Sequence, residues 1–249
     1  MAFYTSILKH LFITNTEYLN LKSASQFHSK IASNFDALYT SSPAFQERFQ
    51  VWSEVLNQYI PKNSRVLDLG CGSGVFSFYL AQEKNCEVIG IDGAENMIRL
   101  CEERREHLGL EQVRFLQAEL PLSANTLIEP FDAIISSSVL EYIDDLPAVF
   151  HNIDVRLRKG GILVVSFPNR HSMYRRMEKW AYRLLGKPAY YQYVRHVITP
   201  QQLDEMLEKY DFRLKHVQYY ASSGKFMRML RALLPEKFAT NLFVSVYEK

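Results

Sequence analysis

Asp68, Gly70, Gly72, Gly74 and Asp92 are the residues whose types and spacing point to chemistry. The first four lie in residues 65–80, R-V-L-D-L-G-C-G-S-G-V-F-S-F-Y-L. Val66, Leu67 and Leu69 form an apolar run around one acid, and Val75, Phe76, Phe78, Tyr79 and Leu80 resume at helical spacing. The expected local structure is a strand, a tight glycine turn and a helix. Glycine is needed where the backbone takes φ > 0 or where a ligand touches the main chain, and the start of a helix presents free N–H groups beside such a turn. A dinucleotide fingerprint, G-x-G-x-x-G, would need its third glycine at position 75, where valine stands. Asp68, two residues before the first glycine, would repel a pyrophosphate and would suit a ligand carrying an ammonium and a sulfonium.

Asp68-x-Gly70-Cys71-Gly72-x-Gly74 resembles the (D/E)-x-G-x-G-x-G loop of the class I S-adenosylmethionine (SAM)-dependent methyltransferases. The resemblance implies an α/β fold, Rossmann-like and doubly wound, with a seven-stranded, mostly parallel sheet whose last strand is antiparallel. It also implies SAM as methyl donor. Asp92 ends a second expected strand over residues 86–91, roughly twenty residues past the glycines, where this kind of fold puts an acid on a ribose diol. An N-cap for the next helix is its competing role. Met97 resembles the family's apolar contact to adenine. Gln117-Ala118 stands where the family commonly has Asp-Ala, and the Gln117 carbonyl can accept the adenine amino group without charge. Gly93, Glu119 and Ser136 complete the expected cofactor set.

The elements that must position these groups follow from the rest of the chain. Residues 1–60 read as helices and residues 61–249 as the core of one domain, with third to seventh strands over 113–116, 131–136, 162–167, 212–221 and 241–248, the last closing the sheet as an edge. N-F-D-A-L-Y at 34–39 resembles a helical lid element of small-molecule methyltransferases, which implies Phe35 and Tyr39 at the acceptor. The fourth strand leads into S-S-S-V-L-E-Y-I-D-D, similar to the V-L-E-H-V-x-D of ubiquinone-biosynthesis methyltransferases, with Tyr142 in place of the histidine. Neither the (D/N)-P-P-Y of base methylation nor an acidic metal ligand stands there, so no metal is expected. A helix over 146–157 is expected to stop at Arg158-Lys159-Gly160-Gly161.

An insertion follows over 169–198, with seven Lys/Arg against the single acid Glu178. Met173, Met177, Trp180 and Leu184 make an apolar helical stripe, and Arg175, Lys179 and Arg183 a basic one. The segment reads either as a solvated helix or as a cap that holds an anionic or greasy acceptor or rests on a membrane face. Arg170 and Tyr191 are its candidate substrate contacts. A second basic amphipathic piece runs through Lys225, Phe226, Arg228, Met229, Leu230, Arg231, Leu233 and Leu234. Methyl transfer needs alignment and exclusion of water. A hydroxyl acceptor also needs a proton sink, for which His171 and His196 are candidates, with Tyr142 as an orienting group.

Composition bounds the reading. The chain has 249 residues, 47% hydrophobic and 22% charged, as in ordinary globular proteins. Its net charge of +2 sets up no strong field for nucleic acid. Cys71, Cys86 and Cys101 have no metal-site spacing, and their odd number fits a reducing interior. No signal-peptide layout and no bilayer-spanning run is read. The expectation is a cytoplasmic, metal-independent O-methyltransferase of a small-molecule acceptor, with peripheral membrane contact through the basic amphipathic segments. The alternatives are a small-amine N-methyltransferase, methylation of a lipid-soluble quinone-type acceptor at a membrane surface, and a non-catalytic SAM-binding module. A nicotinamide oxidoreductase is disfavoured by Asp68 and Val75, and a macromolecular acceptor by the near-neutral charge. The acceptor's identity and the oligomeric state stay open at this level.

Overall fold

Strands that read as continuous apolar runs are buried on both faces, the signature of a parallel sheet covered by helices. β1 (Arg65–Leu69), β2 (Glu87–Asp92) and β4 (Phe131–Ser136) are of this kind. The computed structural model describes residues 23–35, 37–127, 129–185, 189–221 and 234–249. Before the sheet come α1 (Ala24–Phe35), α2 (Ala37–Ser41) and α3 (Pro43–Tyr59). α4 (Val75–Lys84) follows β1, and α5 (Glu95–Leu108) joins β2 to β3 (Val113–Gln117). α6 (Leu146–Arg156) leads into β5 (Leu157–Pro168), and α7 (Met173–Leu185) forms the insertion. α8 (Pro200–Glu208), β6 (Arg213–Tyr220), α9 (Glu236–Ala239) and β7 (Leu242–Glu248) complete the chain.

The seven strands run in the order β3-β2-β1-β4-β5-β7-β6, with β7 antiparallel to both neighbours. The sheet is the doubly wound, mostly parallel one expected. Alternation along β1 sorts the core into two layers. Val66 faces Trp52, Leu56, Phe76 and Phe78 of α3 and α4. Leu67 and Leu69 face Phe150 and Ile153 of α6 and Leu203 and Leu207 of α8.

Two expectations fail. β7 is not the edge: it lies between β5 and β6, and its first six residues are all buried. The run L-F-V-S-V-Y has no solvent-facing alternation, whereas β6 is exposed or half-buried except at Tyr220 and takes the edge. Gly160 and Gly161 do not stop α6, which ends at Arg156. β5 begins at Leu157, paired with Phe131, and the register slips before Ala133 meets Ile162. Leu157 is buried and draws the chain straight into the sheet. Gly160, at φ +72°, serves that irregularity and gives its N–H to Lys249 O at 2.7 Å.

Chain direction reverses about β1 and β4: the chain steps outward to β2 and β3, then returns to β4 on the other side. In open α/β sheets, ligands bind outside the carboxyl ends of the strands at such a switch point. α1 lies across that edge. Ser25 Oγ donates to Glu119 Oε2 at 3.0 Å beyond β3, and Ser29 O accepts from Asn96 Nδ2 at 3.1 Å on α5. At its other side, Phe27 meets Tyr193 with ring centroids 5.8 Å apart.

Candidate functional site

β1 delivers the glycine turn to the carboxyl edge, and β2 pins it there: Ile91 O accepts the N–H groups of Gly70 at 2.7 Å and Cys71 at 2.9 Å. A Cβ at Gly70 (φ +73°) would lie 2.2 Å from Val139 Cγ2, so the loop after β4 forces glycine at that position. At Gly74, which opens α4, Phe78 would stand 2.9 Å away. Gly72 differs. Its φ is +53°, yet among the described residues nothing lies within 4 Å of where its Cβ would be. Protein packing does not demand glycine there, and the bare backbone faces open space at the switch point.

Asp92 stands beside that space. Its Oδ2 accepts the Gly72 N–H at 2.9 Å and its Oδ1 the Ala94 N–H at 2.8 Å. It therefore clamps the turn to the loop before α5, whose N-cap is Ala94. Each carboxylate oxygen keeps a further lone pair. Burial raises the Asp92 pKa, the two N–H donors lower it, and Glu119 raises it again. The Glu119 carboxyl sits 2.7 Å from where a Gly93 Cβ would be, so a side chain there would push that carboxyl aside. Gln117 pairs with Asp92 across the sheet, its Nε2 3.5 Å from Gly93 O, and the Ala118 N–H donates to Asp92 O at 3.1 Å. Met97 is buried against Ala94 in the first turn of α5.

Asp68 is buried at the end of β1 and accepts from Ser77 Oγ at 2.7 Å. Burial pushes its carboxyl up to about 7, with Ser77 opposing, Asp92 adding to the rise and Arg48 opposing. Ser136 ties β4 to β1 by donating to Leu69 O at 2.9 Å. Cys101 Sγ lies 3.1 Å from Gly72 O, and burial raises the Cys71 thiol well above its ordinary range. The residues expected around a cofactor thus gather at the ends of β1 to β4.

Across the switch point lies a polar cluster whose key members the sequence reading did not single out. Arg48, on α3, donates through Nη2 to Ser137 Oγ at 2.7 Å and Ser137 O at 2.8 Å. Ser138 adopts φ +57° and gives its N–H to Ser166 Oγ at 3.0 Å. Glu141, in the 3-10 turn Leu140–Tyr142, is 3% exposed. Its Oε2 and the Ser138 Oγ are buried with no hydrogen-bond partner among the described residues. Burial raises the Glu141 carboxyl to about 7, against its own backbone N–H, Arg175 and Arg48. His28 sets its ring edge-on to Tyr142, 5.5 Å between centroids. One signal was present: Glu141 interrupts the apolar run V-L-E-Y-I after β4 as Asp68 interrupts the one in β1. Nothing in the local pattern marks Arg48 or His28.

Burial, then Arg48, lowers the His28 pKa from 6.5 to about 4. A base whose folded pKa is depressed adds stability that is full above 6.5 and is lost as pH falls through 4. Thermal melts between pH 7 and pH 4 are expected to show that loss, at most about 3 kcal/mol, and His28→Gln to remove it.

The remaining candidates are spread out. Tyr39 packs edge-on against Phe45, Phe49 and Phe76, the last in the first turn of α4. Phe35 ends α1, and its side chain lies outside the described residues. His196 engages Ile143 O through Nε2 at 2.8 Å, while its backbone N–H, with that of Arg195, holds Glu141 O. Arg170, His171 and Tyr191 line a separate cleft of 720 Å³ at the end of β5, with Arg175, Arg176, Lys179 and Arg195. Tyr142 and His196 are not part of its wall. α7 turns its polar side inward: Arg175 and Glu178 are buried and paired at 2.7 Å, and Glu178 also accepts from Tyr190 OH. Arg175 therefore leaves the expected basic stripe, while Met177, Trp180 and Leu184 stand outward, 67%, 64% and 77% exposed. The second basic amphipathic segment lies outside the described residues, Leu234 excepted.

A family model described as a methyltransferase domain matches residues 60–211. A carboxy-S-adenosyl-L-methionine synthase of Shewanella sediminis is 28% identical over 57% of this chain and 60% of its own length. A ubiquinone biosynthesis O-methyltransferase of Dinoroseobacter shibae is 30% identical over 59% of each. Among solved structures, a SAM-dependent methyltransferase from Thermotoga maritima superposes with a TM-score of 0.63 at 18% identity, covering 90% of this chain and 98% of that one. The chain spans about three fifths of the length of the curated relatives it matches.

Proposed function

Because the chain belongs to the methyltransferase-domain family, within the class I SAM-dependent methyltransferases, we propose that it methylates a small-molecule acceptor, at a hydroxyl oxygen. The observation that carries the donor half is the open face over Gly72 beside the clamped Asp92 carboxylate, at the sheet's switch point. The residues fit the donor. Asp68 lies beneath the turn for its cationic amino-acid end, Asp92 keeps lone pairs for a ribose diol, and Met97 and Gln117 flank the adenine position. SAM, when bound, supplies an electrophilic methyl group on a sulfonium.

The chain's own part in the reaction is alignment, exclusion of water and custody of one proton. α1 covers the site and keeps water out. Ser138 Oγ and Glu141 Oε2 orient the acceptor hydroxyl, since both are buried and unbonded. Glu141 takes the hydroxyl proton as the oxygen lone pair is committed to carbon. The Nε2 of His196 is already held by Ile143 O, and His171 opens on the separate cleft, so Glu141 is the better-placed base. Tyr142 packs against His28 of α1 beside this cluster.

Calorimetric titration with SAM tests the reading. Asp68, raised to about 7, is partly protonated at neutral pH, and a cation beside it will lower that value. Binding is expected to release protons, so the measured heat should change between buffers of different ionisation enthalpy. Asp68→Asn should abolish that dependence. Absence of any binding heat would end the proposal.

One observation favours a second reading, in which the acceptor is drawn from a membrane surface: α7 presents Met177, Trp180 and Leu184 outward beside Lys179 and Arg183. Among the described residues, no helix is long and apolar enough to cross a membrane.

A further inference from the structure

Among the described residues, the cleft at the carboxyl end of β5 is walled by five cationic side chains and no acid. Two of them are already matched: Arg175 by Glu178 inside, and Arg195 by Asp144 at 2.7 Å on the rim. Arg170, Arg176 and Lys179 have no ion-pair partner among the described residues. Three like charges converging on one concavity repel each other, and the concave wall concentrates their field. Thr199 and Gln202, which form the capping box of α8, complete the lining, so the positive end of that helix faces the same space. At 720 Å³ the cleft is large enough for a small molecule.

The structure assigns this cleft, we propose, to a phosphate-type anion. On the methyl-transfer reading above, that anion is a part of the acceptor. Arginine's planar fork suits phosphate bidentately and the lysine adds a point charge. The wall is tied to the polar cluster, because the backbone N–H groups of Arg195 and His196 both hold the carbonyl of Glu141. A molecule with an anionic end in the cleft is thereby anchored next to the segment that carries the proposed base. The phosphate comes either from a soluble phosphorylated compound or from a lipid headgroup, and the two share the contacts.

The test uses the full chain without SAM, so that it does not depend on donor binding. In one arm inorganic pyrophosphate is titrated into the wild type, into R176Q/K179Q and into R183Q, a cation of α7 outside the lining. In the other, the wild type and R176Q/K179Q are sedimented with phosphatidylcholine vesicles with and without phosphatidylglycerol. We expect pyrophosphate binding that weakens with salt and falls at least roughly tenfold in the double variant but not in R183Q. Vesicle binding that requires phosphatidylglycerol and is lost in R176Q/K179Q, with no pyrophosphate binding, supports the same site with a headgroup as the source. No binding in either arm, or binding that survives the double substitution, overturns the assignment. A protein that binds pyrophosphate this way but not SAM keeps the cleft and loses the methyl-transfer reading; the reverse result does the opposite.

Discussion

Gly72→Ala is expected to leave the protein folded and to remove most of its affinity for SAM, whereas Gly70→Ala is expected to prevent folding. Both glycines have positive φ, so a side chain is strained at either by about 1–2 kcal/mol. The two sites differ in what surrounds them. A Cβ at Gly70 would lie 2.2 Å from Val139, on a loop that the Ser138–Ser166 hydrogen bond holds in place. The backbone cannot yield without opening the β1/β4 junction, and overpacking of that kind adds about 1–3 kcal/mol or more. A Cβ at Gly72 meets no atom of the described residues. It enters the space proposed for the donor and shifts the N–H that Asp92 holds. A loss of at least roughly tenfold in affinity, about 1.4 kcal/mol, is the expected size. Melting curves and calorimetry separate the two effects. A Gly72→Ala protein that binds SAM like the wild type would mean that the open face is not the donor site.

Glu141→Gln carries the second large effect. The substitution keeps the side chain's shape and removes its ability to take a proton. Turnover should fall by about 10²–10⁴-fold with SAM affinity unchanged. The wild-type rate should climb as pH rises through about 7, where the buried carboxyl ionises, and the variant's profile should be flat. Stability moves in the opposite direction. The folded pKa lies above the ordinary 4.5, so this group's contribution is full below 4.5 and is lost as pH rises through 7. Above pH 8 the ionised form costs about 3 kcal/mol, with the opposing Arg175 and Arg48 charges on α7 and α3 already included. Glu141→Gln should therefore melt higher than the wild type at pH 8 and close to it at pH 5. Asp68 has the same sign and His28 the opposite, so the comparison is made variant against wild type at each pH. A variant with unchanged turnover and a parallel rate profile would leave Glu141 a structural acid only.

Much of the architecture was legible from periodicity. Apolar runs at 66–69, 88–91 and 131–135 announced buried parallel strands, and each lies within the sheet where expected. The place of β7 was also readable, since L-F-V-S-V-Y lacks the alternation of an edge, but sequence order invited the opposite reading. α7 shows where pattern fails. Its apolar stripe was visible, yet which side faces solvent depends on Glu178 finding Arg175 and Tyr190 inside, and Tyr190 lies beyond the helix.

The sequence by itself determined the strand–turn–helix at residues 65–84 and the acids bracketing it. The apolar run of β1 and the helical spacing that follows it are set by near neighbours along the chain. Only the tertiary structure decided that Asp92 clamps Gly72, that Glu141 lies buried with one oxygen unbonded among the described residues, and that Arg48 lies near both it and His28. Desolvation and charge coupling depend on groups such as α3 and α7, tens of residues away along the chain, which no local spacing brings together.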